Sequence, residues 1–305
     1  MTALSVIIPS RNEVYLQQTI DDILAKARGS VEIIVVLDGY WPEPILKTDP
    51  RIITLHHGTM RDNQGMRASI NKGMAIARGE YVMKVDGHCL FDEGFDVKLI
   101  ADCEDNWVVI PRRLRLDAEN WKIAPDTRPP IDYNYLTYPY LRPNDNHCGL
   151  HGADWRQRYY DRKDISIDDT MSGQGSLYFT TRKWWFEMIG PLDSEIYGPF
   201  AQECQEICNR TWLGGGRCVV NKKTWYAHLH KGSRGKNYGF SNAQYTKFYE
   251  NKEFGRKNCI DYWINNKWAE RKYDFDWLIE KFWPVPGWPE NWKEQLIIDK
   301  KKEKS

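Results

Sequence analysis

The chain has 305 residues, of which 41% are hydrophobic and 28% charged, a composition that excludes disordered and membrane-embedded classes. Lys and Arg number 43 against 42 Asp and Glu, for a formal net charge of +1, so no global field announces a nucleic acid or an anionic membrane as partner. The length suits one large α/β domain or a domain with an appendage.

The opening MTALSVIIPSRNE enters a strand-like run at once. With no charged leader, no apolar signal core and no run of about 18 apolar residues, a soluble cytosolic protein is expected. Residues 4–9 (LSVIIP) and 31–38 (VEIIVVLD) are continuous β-branched runs, the pattern of strands buried on both faces of a parallel sheet. Residues 13–28 between them read as a crossover helix. RIITLHH at 51–57 predicts a third strand, residues 64–78 a second helix ending at Gly79, and EYVMKVD at 80–86 a fourth strand. This is the βαβ rhythm of a doubly wound sheet.

Residues 112–170, rich in Pro, Asn, Asp and Arg, read as a long connection or lid. From 171 order returns. SLYFTTRKWWFEMIG predicts a strand and a helix, QECQEICNRTWLGGG a helix closed by glycines, and RCVVNKKTWYAHLHKG a strand. After about 235 the composition shifts to Lys, Trp, Tyr and Phe, which marks residues 236–305 as a C-terminal appendage. The seven cysteines are scattered without a C-x-x-C pair, so buried free thiols are expected rather than disulfides or a zinc ribbon. A structural zinc site built on His147, Cys148 and His151 lacks the usual paired spacing.

In open α/β sheets ligands bind beyond the carboxyl ends of the strands, which directs attention to Ser10–Glu13, Asp38 and Asp86–His88. Asp86-Gly87-His88 has the form of a divalent-cation site, with two side chains reaching one pocket from i and i+2 while Gly87 permits close backbone approach to a phosphate. Such a cation, Mn²⁺ or Mg²⁺, neutralises a departing diphosphate. AHLHKG at 227–232 closes a strand with His228 and His230, a source of a third ligand, followed by Lys231, which can contact phosphate.

Residues 5–13 and 31–40 resemble the opening of family 2 glycosyltransferases. NQGMRASINKGMAIARGEYVMKVDGHC at 63–89 is similar to the segment of polypeptide N-acetylgalactosaminyltransferases that ends in an Asp-x-His-Cys metal motif. Gly152–Trp155 with Tyr159 resembles their G-x-x-W-x-W-Y stretch, and residues 171–175 their M-A-G-G turn with one insertion. Phe200–Gly215 resembles W-G-G-E-N running into W-x-C-G-G, with Glu203 on the glutamate and Trp212 on the tryptophan. AHLHK falls on G-H-V-F-R. The chain departs at Phe200, Ala201, Gln202 and Cys204, and no lectin-like repeat follows.

The resemblance implies a GT-A fold, Rossmann-like and doubly wound, over residues 1–235. Its parts are a nucleotide-binding half at 1–111, the 112–170 connection, and a metal and acceptor half at 171–235. It implies a retaining, metal-dependent transferase of a hexose or N-acetylhexosamine from a UDP-sugar, with Asp86, His88 and His228 as metal ligands and Lys231 on phosphate. Asp38 is expected on the uridine, with Pro9, Arg11 and Glu13 as the base-side wall and Asn63 beside it. Arg67 is a phosphate or ribose contact or an exposed helix arginine, Glu203 orients the donor sugar or acceptor, and Trp212 packs over the diphosphate or in the core. The acceptor is left open among a protein hydroxyl, a glycan or lipid-linked sugar, and a hydroxymethylated DNA base. The stretches KGSRGKNYGF and NNKWAERKYDFDW carry the last option through stacking and charge, or form an ordinary packed helical appendage. A non-catalytic nucleotide-sugar-binding module is the remaining alternative.

Overall fold

The computed structural model describes residues 2–125, 127–141, 148–200, 202–230 and 242–302; of residues 242–249, 251 and 252 it describes the backbone alone. The first half alternates β1 (Leu4–Ser10), α1 (Leu16–Lys26), β2 (Val31–Asp38), β3 (Ile52–His57), α2 (Met66–Ile76) and β4 (Tyr81–Val85), followed by β5 (Cys89–Phe91), α3 (Phe95–Ala101) and β6 (Trp107–Asp117). The expected connection at 112–170 holds the end of β6, β7 (Lys122–Ile123), β8 (Asn134–Leu136), β9 (Gly152–Asp154), α4 (Arg156–Arg162) and β10 (Ile167–Asp169). Then come β11 (Leu177–Thr181) and α5 (Arg182–Trp184), which continues as a π-helical turn over Trp185–Ile189. They are followed by α6 (Ser194–Tyr197), α7 (Glu203–Leu213) and β12 (Arg217–His228), with α8 (Asn242–Ile264), α9 (Phe275–Lys281) and α10 (Trp292–Lys302) at the C-terminus.

The strands lie in the order β10-β12-β6-β11-β4-β1-β2-β3, with β5 on β12 and β7 on β6. Strands β4, β1, β2 and β3 are parallel, whereas β11 runs antiparallel to both β4 and β6. The chain order reverses at β1, which has β2 on one side and β4 on the other. The rule for α/β sheets puts the ligand crevice at the strand ends beside such a reversal.

Alternate residues of each strand point to opposite faces, and both faces are covered. Val6, Ile8, Val35, Met83 and Phe179 pack with Ile20 and Ile23 of α1 and Leu99 of α3. Ile7, Ile34, Val36, Val82 and Tyr178 pack with Ile70 and Met74 of α2 and Ile207 of α7. Continuous apolar strands are stable only under such double cover. Gly73 lets α2 settle onto the sheet, since a Cβ there would lie 2.6 Å from Ile7 Cγ2.

The aromatic C-terminal segment belongs to this second core. Trp263, Phe275, Leu278, Phe282 and Trp288 are buried with Tyr138, Trp155 and Trp212, Trp288 Nε1 donates to the Leu136 carbonyl at 2.8 Å, and Tyr138 OH donates to Asp299 at 3.0 Å. Trp and Tyr bury large apolar area while satisfying one polar atom. That explains the composition without a ligand.

One contact beneath the crevice has a pH signature. Asp22 of α1 accepts the Phe91 backbone N–H at 2.7 Å, joining α1 to β5. Burial pushes its carboxyl up from 3.8 to about 6, against the opposing pull of that hydrogen bond, Lys26 and Trp121. The folded protein therefore holds this proton more tightly than the unfolded chain, and the stability so gained is lost as pH rises between about 4 and 6. Melting temperatures across that range should fall less steeply for Asp22→Asn than for the wild type; parallel profiles would contradict the assignment.

Candidate active site

Asp86 and His88 lie in the loop that leaves β4, at the carboxyl end of a parallel strand, and His228 is the last residue of β12. Two pairings bring them together across the sequence. The Asp86 amide donates to the Ser176 carbonyl at 2.9 Å, and Leu229 N donates to the His88 carbonyl at 3.3 Å, while β5 pairs with β12 in a register that sets His228 opposite Cys89. His228 Nε2 then stands 3.2 Å and His88 Nε2 3.8 Å from Asp86 Oδ2, with the two imidazole centroids 4.6 Å apart. One donor atom from each of the three residues falls within 4.8 Å of the others.

The supporting groups fix each ligand differently. Glu13 Oε2 lies 2.8 Å from His88 Nδ1, so the carboxylate takes the Nδ1 proton and leaves Nε2 with a lone pair toward Asp86. Asp86 divides its oxygens. Oδ1 accepts from Lys84 Nζ at 2.6 Å, and Oδ2 faces the two histidines. Lys84 is completely buried and also donates to the Gly175 carbonyl. Burial opposes both charges, yet Lys84 and the hydrogen bond from His228 hold the Asp86 carboxyl well below its usual range, while Asp86 and Glu203 raise the Lys84 pKa. The carboxylate is thus ionised whenever the protein is folded near neutral pH. An ionised oxygen with two imidazole nitrogens is a donor set that fits Mn²⁺ or a similar divalent ion.

The other expected residues divide. Glu203 opens α7 and packs on Gly175, where a Cβ would lie 1.8 Å from its Oε1; it therefore sits one glycine away from the Lys84–Asp86 pair. Asp38 is buried, and its oxygens accept the backbone N–H groups of Gln64 and Gly65, each at 2.8 Å. Asn63 Nδ2 lies 3.5 Å from it. Arg11 Nη1 donates to the Asp38 carbonyl at 2.8 Å, and Pro9 stands in β1 beside Val36. These four residues gather at the ends of β1 and β2, where Asp38 shapes the turn entering α2.

Arg67 stands elsewhere than expected, Trp212 takes the core alternative, and Glu13 and Gly87 meet in the metal loop. Glu13 backs His88. Gly87 makes room for Glu13, whose Cγ would be 2.8 Å from an added Cβ. Arg67 is neither exposed nor aimed at the crevice: it is fully buried, paired with Glu206, and its guanidinium carbon lies 4.3 Å over the Tyr197 ring. Trp212 is core, its Nε1 donating to the Thr170 carbonyl at 3.1 Å and its ring meeting Phe282 edge-on at 5.4 Å. A charged helix residue facing the sheet side needs a buried partner, and a tryptophan on a wholly buried helix finds apolar neighbours first. Lys231 and the stretch 231–240 lie outside the described residues, as does His147.

Two site residues escaped the sequence reading. Lys84 is a lone cation inside an apolar strand, two positions before Asp86 and so on the same face. Arg113 sits in β6, is 4% exposed, and donates through Nη2 to His228 Nδ1 at 2.9 Å and to His230 Nε2 at 3.1 Å. A charged residue within an otherwise apolar strand was the available signal for Lys84, whereas Arg113 is one of three arginines in the second half of β6 and nothing in the sequence set it apart.

A parallel nucleotide-type half-sheet joined to a mixed second half, in which β12 lies parallel to β6 and returns a histidine to the first half's acidic loop, defines the GT-A class of fold. The chain belongs to glycosyl transferase family 2, whose model matches residues 5–168, more than half of its length. The uncharacterized glycosyltransferase EpsJ of Bacillus subtilis (strain 168) is 31% identical over 110 residues, which span 34% of this chain and 31% of that relative. Among solved structures, GalNAc-T7 with UDP, GalNAc and Mn²⁺ superposes over 92% of this chain and 56% of its own with a TM-score of 0.63 at 14% identity, a likeness of fold. S. aureus TarS 1–349 matches over 75% of this chain and 60% of its own at 17% identity and a TM-score of 0.44. Among the described residues no helix is long and apolar enough to cross a membrane.

Proposed function

We propose that the protein is a metal-dependent glycosyltransferase that moves a hexose or N-acetylhexosamine from a UDP-sugar to an acceptor hydroxyl with retention of configuration. The observation that carries it is the convergence of Asp86 and His88, which follow β4, and His228, which ends β12, on one point at the strand ends. A bound divalent cation would supply Lewis-acid stabilisation of the charge developing on the leaving diphosphate. Asp86 Oδ2, His88 Nε2 and His228 Nε2 would hold it, Glu13 orients His88, and Lys84 keeps Asp86 ionised and turned toward the histidines. Asp38, Arg11, Pro9 and Asn63 line the uridine end.

Retention is supported by the residue after Glu203. Inverting enzymes of this fold place a carboxylate base there, whereas this chain has Cys204, a buried thiol 4.0 Å from Cys208 Sγ. The hydrogen bond to Cys208 and burial raise its pKa well above the ordinary thiol value. It can take no proton from an acceptor. Glu203 orients the donor sugar or the acceptor.

A donor screen for Mn²⁺-dependent release of nucleoside diphosphate tests the proposal, followed by protein, glycan and hydroxymethylated-DNA acceptors. Release with a UDP-sugar that chelation abolishes is the expected result; no release with any nucleotide sugar would leave a binding module. An NMR time course of the product should show the anomeric configuration of the donor, and an inverted product would remove the retaining mechanism.

A further inference from the structure

The two histidines of the triad are held in opposite ways. Glu13 can only accept from His88 Nδ1, which prepares Nε2 as a ligand. A guanidinium has five donors and no acceptor, so Arg113 Nη2, at 2.9 Å from His228 Nδ1, requires a lone pair there. The neutral His228 ring then carries its proton on Nε2, the atom 3.2 Å from Asp86 Oδ2, and donates it to that carboxylate. An Nε2–H cannot ligate a metal.

Arg113 is itself loosely anchored for a buried charge. Its contacts are the two imidazole nitrogens, and its Nε and Nη1 have no hydrogen-bond partner among the described residues. No carboxylate is hydrogen-bonded to it among the described residues, Asp154 acting on it through space alone, and a buried guanidinium so placed is costly, so little holds it against a competing arrangement.

Building on the metal reading of the triad, we propose that Arg113 is a latch on His228: its hydrogen bond to Nδ1 favours the Asp86–His228–Arg113 chain over ligation by Nε2, and a cation binds His228 only as Arg113 lets go. The proton of Nε2 moves to Nδ1 as the ring becomes a ligand, which removes the acceptor Arg113 used. Metal entry and guanidinium release are therefore one event. Arg113 is a positioning residue, acting through His228.

Two readouts independent of turnover test this. In the metal-free wild type, long-range ¹H–¹⁵N correlation of the imidazoles, with His228→Asn used to assign the signal, should show His228 protonated on Nε2; protonation on Nδ1 would overturn the latch without any variant. Mn²⁺ affinity, read from the electron paramagnetic resonance of the free ion, should tighten by about tenfold or more in Arg113→Gln, whose amide oxygen can accept from Nδ1–H, the size expected of a partner behind a metal-bound histidine. Arg113→Lys, still donor-only, should stay near the wild type, and Arg113→Met, which loses the charge but cannot accept, should gain less than the glutamine variant. Equal gains in the methionine and glutamine variants, or wild-type affinity in both, would overturn the latch while leaving the metal site standing. No Mn²⁺ binding by the wild type or any variant would remove the metal site and the latch together.

Discussion

Asp86→Ala is expected to abolish cation-dependent turnover, by at least about a thousandfold, equivalent to roughly 4 kcal/mol of transition-state stabilisation. The substitution removes one ligand oxygen and the charge of a carboxylate that burial would otherwise protonate. It also strips Lys84 of the partner 2.6 Å from its Nζ, leaving an ammonium inside the sheet with the Gly175 carbonyl and the field of Glu203. Some loss of stability accompanies the loss of activity. Asp86→Asn separates the two effects, because the amide oxygen can still accept from Lys84 while the charge at the triad is gone. Measuring Mn²⁺-dependent release of nucleoside diphosphate alongside the melting temperature checks both, and an alanine variant that turned over donor in manganese at the wild-type rate would refute the site.

The largest effect on stability is expected at a residue with no part in the chemistry. Glu206 of α7 is fully buried, lies against Arg67, accepts from Arg210 at 2.7 Å and takes the Asp193 amide at 3.2 Å. Burial raises its carboxyl pKa although both arginines oppose the shift. Glu206→Ala leaves two guanidiniums in the core without their carboxylate and should cost about 3–5 kcal/mol, the range for breaking a buried ion pair from one side. Replacing the group by apolar side chains, as in Arg67→Met with Glu206→Leu, should cost much less. Chemical denaturation of the three proteins decides the matter, and a loss under about 1 kcal/mol in Glu206→Ala would show that the arginines find other partners. Because α7 carries Glu203 in its first turn, the ion pair between α2 and α7 also fixes where that glutamate stands.

Local pattern made much of this legible. The βαβ half follows from runs such as VEIIVVLD, whose unbroken apolar character is stable only between two helical layers. The strand-end rule then singled out Asp86 and His88 before any partner was known. The strand end AHLHKG offered His228 and His230 alike, and only the resemblance chose His228, since 142 residues separate it from Asp86 and no periodicity specifies which strand pairs with which. The same limit applies to residues whose role the sequence left open. Arg67, Trp212 and Glu13 have side chains whose type suits either a ligand or a core partner, and the choice was made by Glu206, Phe282 and His88, residues remote in sequence. The aromatic stretch of the C-terminal segment read either as a packed helical appendage or as a surface for bases, and Trp268 and Trp277 pack with the core over α7.

Secondary structure, the buried character of the strands and the acidic-histidine loop were determined by the order of residues alone, because each depends on neighbours within a turn or two of chain. Tertiary structure alone decided which groups balance the buried charges: Lys84 against Asp86, Glu13 behind His88, and Arg113 on His228. The physical reason is that a charge taken out of water is stabilised by whichever opposite charge or lone pair the fold brings within about 3 Å, and that distance is set by strand register rather than by position in the chain.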